Sequence, residues 1–429
     1  MKKSTTQNDK IFVQIASYRD PELLPTIKDC ITKAKYPERL TFGICWQHSE
    51  EDEWDTLDEY KENPSFTIMD VKWNESLGLC WARHHIQKMY KGEEYTMQID
   101  SHHRFVQDWD EEMIAMLKLT GSKKPLLTAY AGMYDPKENK LLNHEPYKMI
   151  PDKFTEGGTI LFYPHYIDKW EELDKPIPAR FVSGHFFFTL GQHCEEYHYD
   201  PNIYFAGDEI SLSIRSYTLG YDLFHPHRLL IWHEYTREGR TKHWTDFNNE
   251  TKDAGLVEKP WWEMDSDSKR RLRHMLQEED NDIDLGIYGL GTFRSHRSYE
   301  LYAGINFRKR KLHPDAKKGV NPPTTFDGDD ESWIYDVITD YSLTLNWENR
   351  WEDIRKQLDC TCTLQFIYVG VESDNGEVLF RIDLTDKSFL DGNVKQYLAN
   401  FTSKNPPTKL VVWPYEVAKG WLDRIDINL

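Results

Sequence analysis

Glu94-Tyr95-Thr96-Met97-Gln98-Ile99-Asp100-Ser101-His102-His103-Arg104-Phe105 is the stretch on which the fold turns. Tyr95, Met97 and Ile99 alternate with Thr96, Gln98 and Asp100, the period of a half-buried strand. The strand runs into Asp-Ser-His with no turn residue before the carboxylate. On an extended backbone, side chains two apart point to the same side, so Asp100 and His102 would stand together. A carboxylate beside an imidazole can hold a divalent cation, and the carboxyl ends of strands are where open α/β sheets bind ligands. The plainer alternative is a strand ending in a polar loop with solvated histidines. The rest of the chain decides between them.

Upstream, Ile11 to Ala16 reads as a buried strand ending in Ser17-Tyr18-Arg19-Asp20-Pro21, followed by a helix through Ile31 with proline in its first turn. Strands are expected at Leu40–Trp46 and Phe66–Val71. A helix opens at Ser76-Leu77-Gly78 and carries Arg83 towards Tyr90. Strand, helix, strand, strand, helix, strand with short connections is a doubly wound α/β pattern. Downstream, strands are expected at Leu126–Tyr130, Gly157–Phe162, Phe181–Gly191 and Leu223–His233, and a helix from Gly207-Asp208-Glu209 through Arg215, ended by Gly220.

Lys309 to Asp330 turns to Lys, Arg, Pro, Asp and Gly, the composition of a linker or exposed loop. Beyond it, strand-like runs at Ser342–Leu345, Cys362–Val371, Glu377–Leu384 and Lys409–Pro414, with a hairpin signal at Ser373-Asp374-Asn375-Gly376, predict a β-rich accessory domain without a catalytic constellation. The expected domains are therefore 11–308, catalytic, and 331–429, accessory, joined by 309–330.

The 429 residues carry a net charge of −19, which argues against a nucleic-acid or anionic-membrane surface. A site for an anionic donor must then be made locally positive by metal or arginine. Aromatics reach 14 %, with 15 Trp and 24 Tyr, which suits sites for sugars or peptides as well as large cores. Cys30, Cys45, Cys80, Cys194, Cys360 and Cys362 lack metal-knuckle or redox spacing and read as reduced core residues. Met1 to Lys10 is polar, with no signal peptide expected, and no apolar run reaches a membrane span, so the expected setting is cytoplasmic.

Arg19 and Arg83 should face the crevice of Asp100, since guanidinium forks and helix N-termini suit pyrophosphate. Gly184 lets backbone approach a ligand closely, and the adjacent acids Asp208 and Glu209 suit hydroxyl binding or general-base work, although acids also stabilise a helix start. A third cation ligand is sought among His225, His227 and His233, and spacing does not choose.

Ile-Ala-Ser-Tyr-Arg-Asp-Pro-Glu-Leu at 15–23, Gln-Ile-Asp-Ser-His at 98–102, Ala-Gly-Asp-Glu-Ile-Ser-Leu-Ser-Ile-Arg at 206–215 and Tyr-Gly-Leu-Gly-Thr-Phe-Arg-Ser at 288–295 resemble glycosyltransferase family 60. These are α-N-acetylglucosaminyltransferases that modify hydroxyproline on a cytoplasmic protein of protists, with bacterial relatives. The resemblance covers about Ile11 to Phe307. More distantly, Phe181 to Arg215 is similar to the polypeptide N-acetylgalactosaminyltransferases, which use Asp-x-His and a later histidine on manganese. Lining up Gly207 and Arg215 brings His233 close to that later histidine, one residue out of register. These resemblances imply a GT-A fold, a retaining reaction and UDP-GlcNAc as donor to a hydroxyl of a protein or peptide. They imply Mn2+ or Mg2+ on Asp100, His102 and His233. They also imply a donor site lined by Ser17, Arg19, Gly78, Arg83, Asp100, Gly184 and His185, with Asp208 and Glu209 at the reacting hydroxyls. Alternatives within the same reading are UDP-GalNAc or UDP-glucose as donor, or a non-catalytic glycan- or partner-binding protein on a degenerate transferase scaffold.

Overall fold

The computed structural model describes residues 9–54, 56–236, 239–324, 339–358 and 363–429. The chain divides into two compact units, residues 1–310 with 315–327, and residues 311–314 with 328–429.

The first unit opens with β1 (Ile11–Tyr18), α1 (Leu23–Lys33), β2 (Leu40–His48), the single turn α2 (Asp58–Lys61), β3 (Phe66–Lys72), α3 (Leu79–Gln87) and β4 (Tyr95–Asp100). All four strands are parallel. After β5 (His103–Phe105) and α4 (Trp109–Leu119) come β6 (Pro125–Thr128), β7 (Gly132–Asp135), β8 (Lys140–Leu141) and a hairpin of β9 (Tyr147–Phe154) with β10 (Ile160–Tyr166). Then follow β11 (Ile177–Pro178), β12 (Phe186–Leu190), α5 (His193–Glu196), α6 (Asp208–Thr218), β13 (Asp222–His225) and β14 (Ile231–His233). The main sheet has the order β11-β13-β6-β12-β4-β1-β2-β3, with β12 inserted antiparallel beside β4. A smaller sheet runs β5-β14-β7-β8. This is the doubly wound α/β sheet of the GT-A class, with an antiparallel strand beside the central ones.

β4 is central rather than half-buried. Met97 and Ile99 join a core with Leu23 and Ile27 of α1 and Met113 and Leu117 of α4, while α3 packs Ala82 and Ile86 on the opposite face of the sheet. The polar residues between them are equally buried and are hydrogen-bonded inside the fold through their hydroxyl and amide N–H groups. Gln14 donates to the Thr96 hydroxyl at 2.8 Å, and Gln98 donates to the Gly184 carbonyl at 2.8 Å.

Three expected strands differ. Leu223–His233 is two strands in two sheets, because Pro226 offers no N–H and fixes its own φ. Phe181–Gly191 is regular only from Phe186, its first residues being held by side chains rather than by a ladder. The Gly157–Phe162 run begins as a strand at Ile160 and continues to Tyr166.

In the second unit an antiparallel sheet joins Leu364–Glu372 to Val378–Leu384 and Lys409–Glu416, with the turn closing where Gly376 N–H donates to the Ser373 carbonyl. Thr339–Asn346 pairs with Gln396–Ser403, a strand not read from the sequence, and the helix Trp347–Arg355 contributes Trp347 and Ile354 to the core. Residues 325–330 of the expected linker, and Cys360 and Cys362, lie outside the described residues. Cys30, Cys45, Cys80 and Cys194 are free and buried. Among the described residues no helix is long and apolar enough to cross a membrane.

Candidate active site

β4 stops at Asp100, and the chain bends through Ser101 and His102 before entering β5. The Asp-x-His pair therefore converges because of that bend, not because the strand continues. Asp100 Oδ2 lies 3.7 Å from His102 Nε2. β14 runs antiparallel to β5 with His233 opposite His103, which carries His233 Nε2 to 3.4 Å from the same Asp100 oxygen. One ligand atom from each of Asp100, His102 and His233 lies within 4.8 Å of the others.

The chemistry of this donor set suits a divalent cation. His102 Nδ1 lies 2.7 Å from the buried Asp20 carboxylate, so an imidazole donating there turns Nε2 towards Asp100, where Arg240 Nη1 also lies, 3.2 Å away. Ser101 Oγ donates to the same Asp20 oxygen at 2.6 Å and Arg240 at 2.7 Å. Burial alone would raise the Asp20 carboxyl, but the charge and hydrogen bond of His102 and the Arg240 guanidinium hold it at about 2. His233 is buried with no hydrogen bond to either ring nitrogen. Burial, then the neighbouring His185 and His102, push its basicity well below the usual 6.5, so it is neutral. Burial works to raise Asp100, but His233, His102 and Arg83 outweigh it and hold the carboxyl well below 3.8. An ionised carboxylate and two imidazoles, one with both nitrogens unbonded, are a transition-metal donor set.

Behind Asp100 stands Arg83, with 2 % of its side chain exposed. Its Nη1 pairs with Asp208, and its Nη2 donates to the Gly184 carbonyl at 2.5 Å and to Asp100 Oδ1 at 3.1 Å. A Cβ at Gly184 would lie 2.8 Å from Asp208 Oδ2, so a side chain there would press on the carboxylate that Arg83 holds. Gly78 (φ +106°), which starts α3 and so places Arg83, would drive a Cβ into Tyr204. Burial raises the Asp208 carboxyl above its usual range despite Arg83. Glu209 accepts from the Gly184 N–H at 3.0 Å and the Tyr130 hydroxyl at 3.1 Å, and burial pushes its carboxyl up to about 7.

Arg19 follows β1 at the same end of the sheet, but its guanidinium is held by Asp52 at 2.7 and 3.0 Å and by Asp246 at 3.0 Å. Ser17 is buried with its hydroxyl unpartnered, and its carbonyl accepts from Gln47 at 2.8 Å. His185 Nε2 accepts from the Ala131 N–H at 3.0 Å, and its ring packs 4.5 Å from that of His233. His225 is not a ligand: Nδ1 donates to the Thr128 carbonyl at 2.8 Å and Nε2 accepts from the Met149 N–H at 3.3 Å. His227 is buried outside the group of three. Sequence reasoning missed Asp20, Arg240 and Tyr130 as parts of this centre. Asp20 stood in the Arg-Asp-Pro segment already singled out, whereas no local signal marked Arg240 or Tyr130.

The fold is that of a GT-A glycosyltransferase. The family model described as "Glycosyltransferase (GlcNAc)" matches residues 10–65 and 58–309, well over half of the chain, and the chain belongs to that family. No curated protein matches the sequence. Among solved structures, GalNAc-T7 with UDP, GalNAc and Mn2+ is 14 % identical with a TM-score of 0.45, the match covering 68 % of this chain and 56 % of that one. The chain thus spans little over half of GalNAc-T7. TarS 1–349 of S. aureus in complex with UDP-GlcNAc is 11 % identical (TM-score 0.38, 64 % and 68 % covered). The mannosyltransferase PcManGT of Pyrobaculum calidifontis, with GDP-Man and Mn2+, is 10 % identical (TM-score 0.36, 54 % and 58 % covered).

Proposed function

We propose that this glycosyltransferase moves N-acetylglucosamine from UDP-GlcNAc to a hydroxyl of a protein or peptide, with retention of configuration and with Mn2+ or Mg2+ held by Asp100, His102 and His233. The observation that carries the reading is the convergent donor set, in which a half-buried carboxylate held well below its usual range meets the buried His102, whose Nδ1 is tied to Asp20, and the buried, neutral His233, whose ring nitrogens carry no hydrogen bond. Bound there, the cation supplies Lewis-acid neutralisation of the charge that builds on the departing diphosphate. Ser17, Arg19, Gly78, Gly184 and His185 line the donor crevice, with Arg83 behind Asp100. Asp208 and Glu209 bind hydroxyls rather than act as a general base, since a same-face reaction has no use for a base opposite the leaving group. A Glu209 carboxyl near 7 can accept or donate to a hydroxyl around neutral pH. Residues 11–308 form the catalytic domain and 331–429 an accessory module for packing or acceptor docking. The cytoplasm is the proposed setting, and four buried free thiols suit it.

Free UDP released from a panel of UDP-sugars, with and without EDTA, tests donor and metal together. UDP-GlcNAc should turn over fastest and EDTA should abolish release. Preference for UDP-GalNAc or UDP-glucose would change the donor, and no release from any would favour the non-catalytic scaffold. A large, β-type anomeric proton coupling in the product would overturn retention.

A further inference from the structure

We infer that Arg83 is a positioning residue for the cation site, not a contact of the diphosphate. This rests on the cation reading of Asp100, His102 and His233. The guanidinium is sealed inside the unit, with Nη1 taken by Asp208 and Nη2 shared between the Gly184 carbonyl (2.5 Å) and Asp100 Oδ1 (3.1 Å). It ties one oxygen of Asp100 and leaves the other, Oδ2, facing His233 Nε2 at 3.4 Å and His102 Nε2 at 3.7 Å. The carboxylate is thereby held to one orientation with a single free ligand atom. The same fork spans three segments distant in sequence: the end of β4, the stretch entering β12 and the first residue of α6. Gln98 Nε2 grips the Gly184 carbonyl from the other side at 2.8 Å, so the anchor of the fork is itself fixed. Arg83 also gives Asp208, 4 % exposed, its cationic partner, without which the buried Asp208 carboxylate would stand beside that of Asp100 uncompensated. A lysine would keep the charge but not the fork, because a single ammonium on a flexible stem cannot hold these three oxygens in one plane.

Losing a group that orients a metal ligand costs about 10–100-fold in metal affinity. The test is titration of the metal-stripped full-length chain with Mn2+ alone, without nucleotide, following the free-ion signal by electron paramagnetic resonance. Arg83→Lys should weaken Mn2+ binding about 10–100-fold, with near-UV circular dichroism unchanged, and His102→Ala should abolish it. Raising Mn2+ should recover part of the turnover of Arg83→Lys, so that the Mn2+ activation constant moves further than the saturated kcat. A residue that only packs, or only touches the diphosphate, would leave nucleotide-free Mn2+ binding at its wild-type value. Wild-type Mn2+ affinity in Arg83→Lys, with His102→Ala defective, would overturn the role of Arg83 while the site stood. Wild-type affinity in His102→Ala would overturn the cation reading itself. Should Arg83→Lys not fold, the double variant Arg83→Gln/Asp208→Asn removes the buried pair together. The same weakening is expected of it, and wild-type affinity there would equally overturn the inference.

Discussion

The two units bury different kinds of side chain. At the centre of the first, Asp20, Arg83, His102, His103, Asp208 and His233 are all inside. The core of the second is Trp347, Ile354, Ile367, Val369, Val371, Leu410 and Val412. Its buried polar side chains among the described residues are Ser373, Ser403 and Glu416, the last satisfied by backbone N–H groups of its own sheet edge. Apolar burial is its own driving force, whereas each buried charge costs several kcal/mol unless paired. A fold that hides two arginine-linked carboxylates and a cluster of histidines at one strand end does so for chemistry. The described core of the second unit is apolar throughout.

The sharpest way to break this contrast is His102→Ala. Turnover should fall by about a thousandfold or more, about 4 kcal/mol of transition-state stabilisation, while the melting temperature moves little. Full activity of the variant would remove the reason for the buried cluster.

Trp347→Ala should do the reverse. Emptying the largest fully buried side chain of the second core should cost about 3–5 kcal/mol of that unit's stability, with UDP-sugar hydrolysis per folded molecule unchanged. Scanning calorimetry with a hydrolysis assay checks both, and loss of hydrolysis would mean that the second unit completes the catalytic one.

Asp20→Asn sharpens the first side of the comparison. It keeps an acceptor near His102 Nδ1 but removes the charge that fixes the ring, so nucleotide-free Mn2+ affinity should drop about tenfold. Unchanged binding in the same titration would leave Asp20 a structural residue.

The smallest effect concerns Glu209. Its carboxyl rises from the usual 4.5 to about 7 on folding, chiefly by burial. The native state then holds the proton more tightly than the unfolded one. That contribution is full below pH 4.5 and is lost as pH rises through 7. The melting temperature of the wild type relative to Glu209→Gln should therefore fall by a few degrees between those limits and level off above. A difference independent of pH would show that the carboxyl is not perturbed.

Much of the first unit was legible. β1 to β3 and α1, α3 and α6 follow apolar periodicity, and Asp100 with His102 stood out at a strand end. The choice of His233 over His225 and His227 was not legible, since it depends on Pro226 sending two short strands into different sheets. Arg83 was read as facing the crevice because its helix position is correct. Its burial depends on Asp208 and Gly184, about a hundred residues away. β4 looked half-buried because Thr96 and Gln98 are polar, and only their partners Gln14 and Gly184 explain how both faces are covered.

By itself the sequence determined the parallel βαβ framework, the carboxylate and imidazole at the end of β4 and the change of composition before the second unit. Each is a local pattern of polarity set by neighbours within a few residues. Residue spacing left the third histidine open and only a family resemblance pointed to His233; tertiary structure brought His233 to Asp100 and His102, and it alone decided that Asp20 pairs with His102 and that Arg83 bridges Asp100, Asp208 and the Gly184 carbonyl. Those relations join segments up to 133 residues apart (His233 to Asp100), and pairing across such distances is set by sheet order and burial rather than by anything adjacent in the chain.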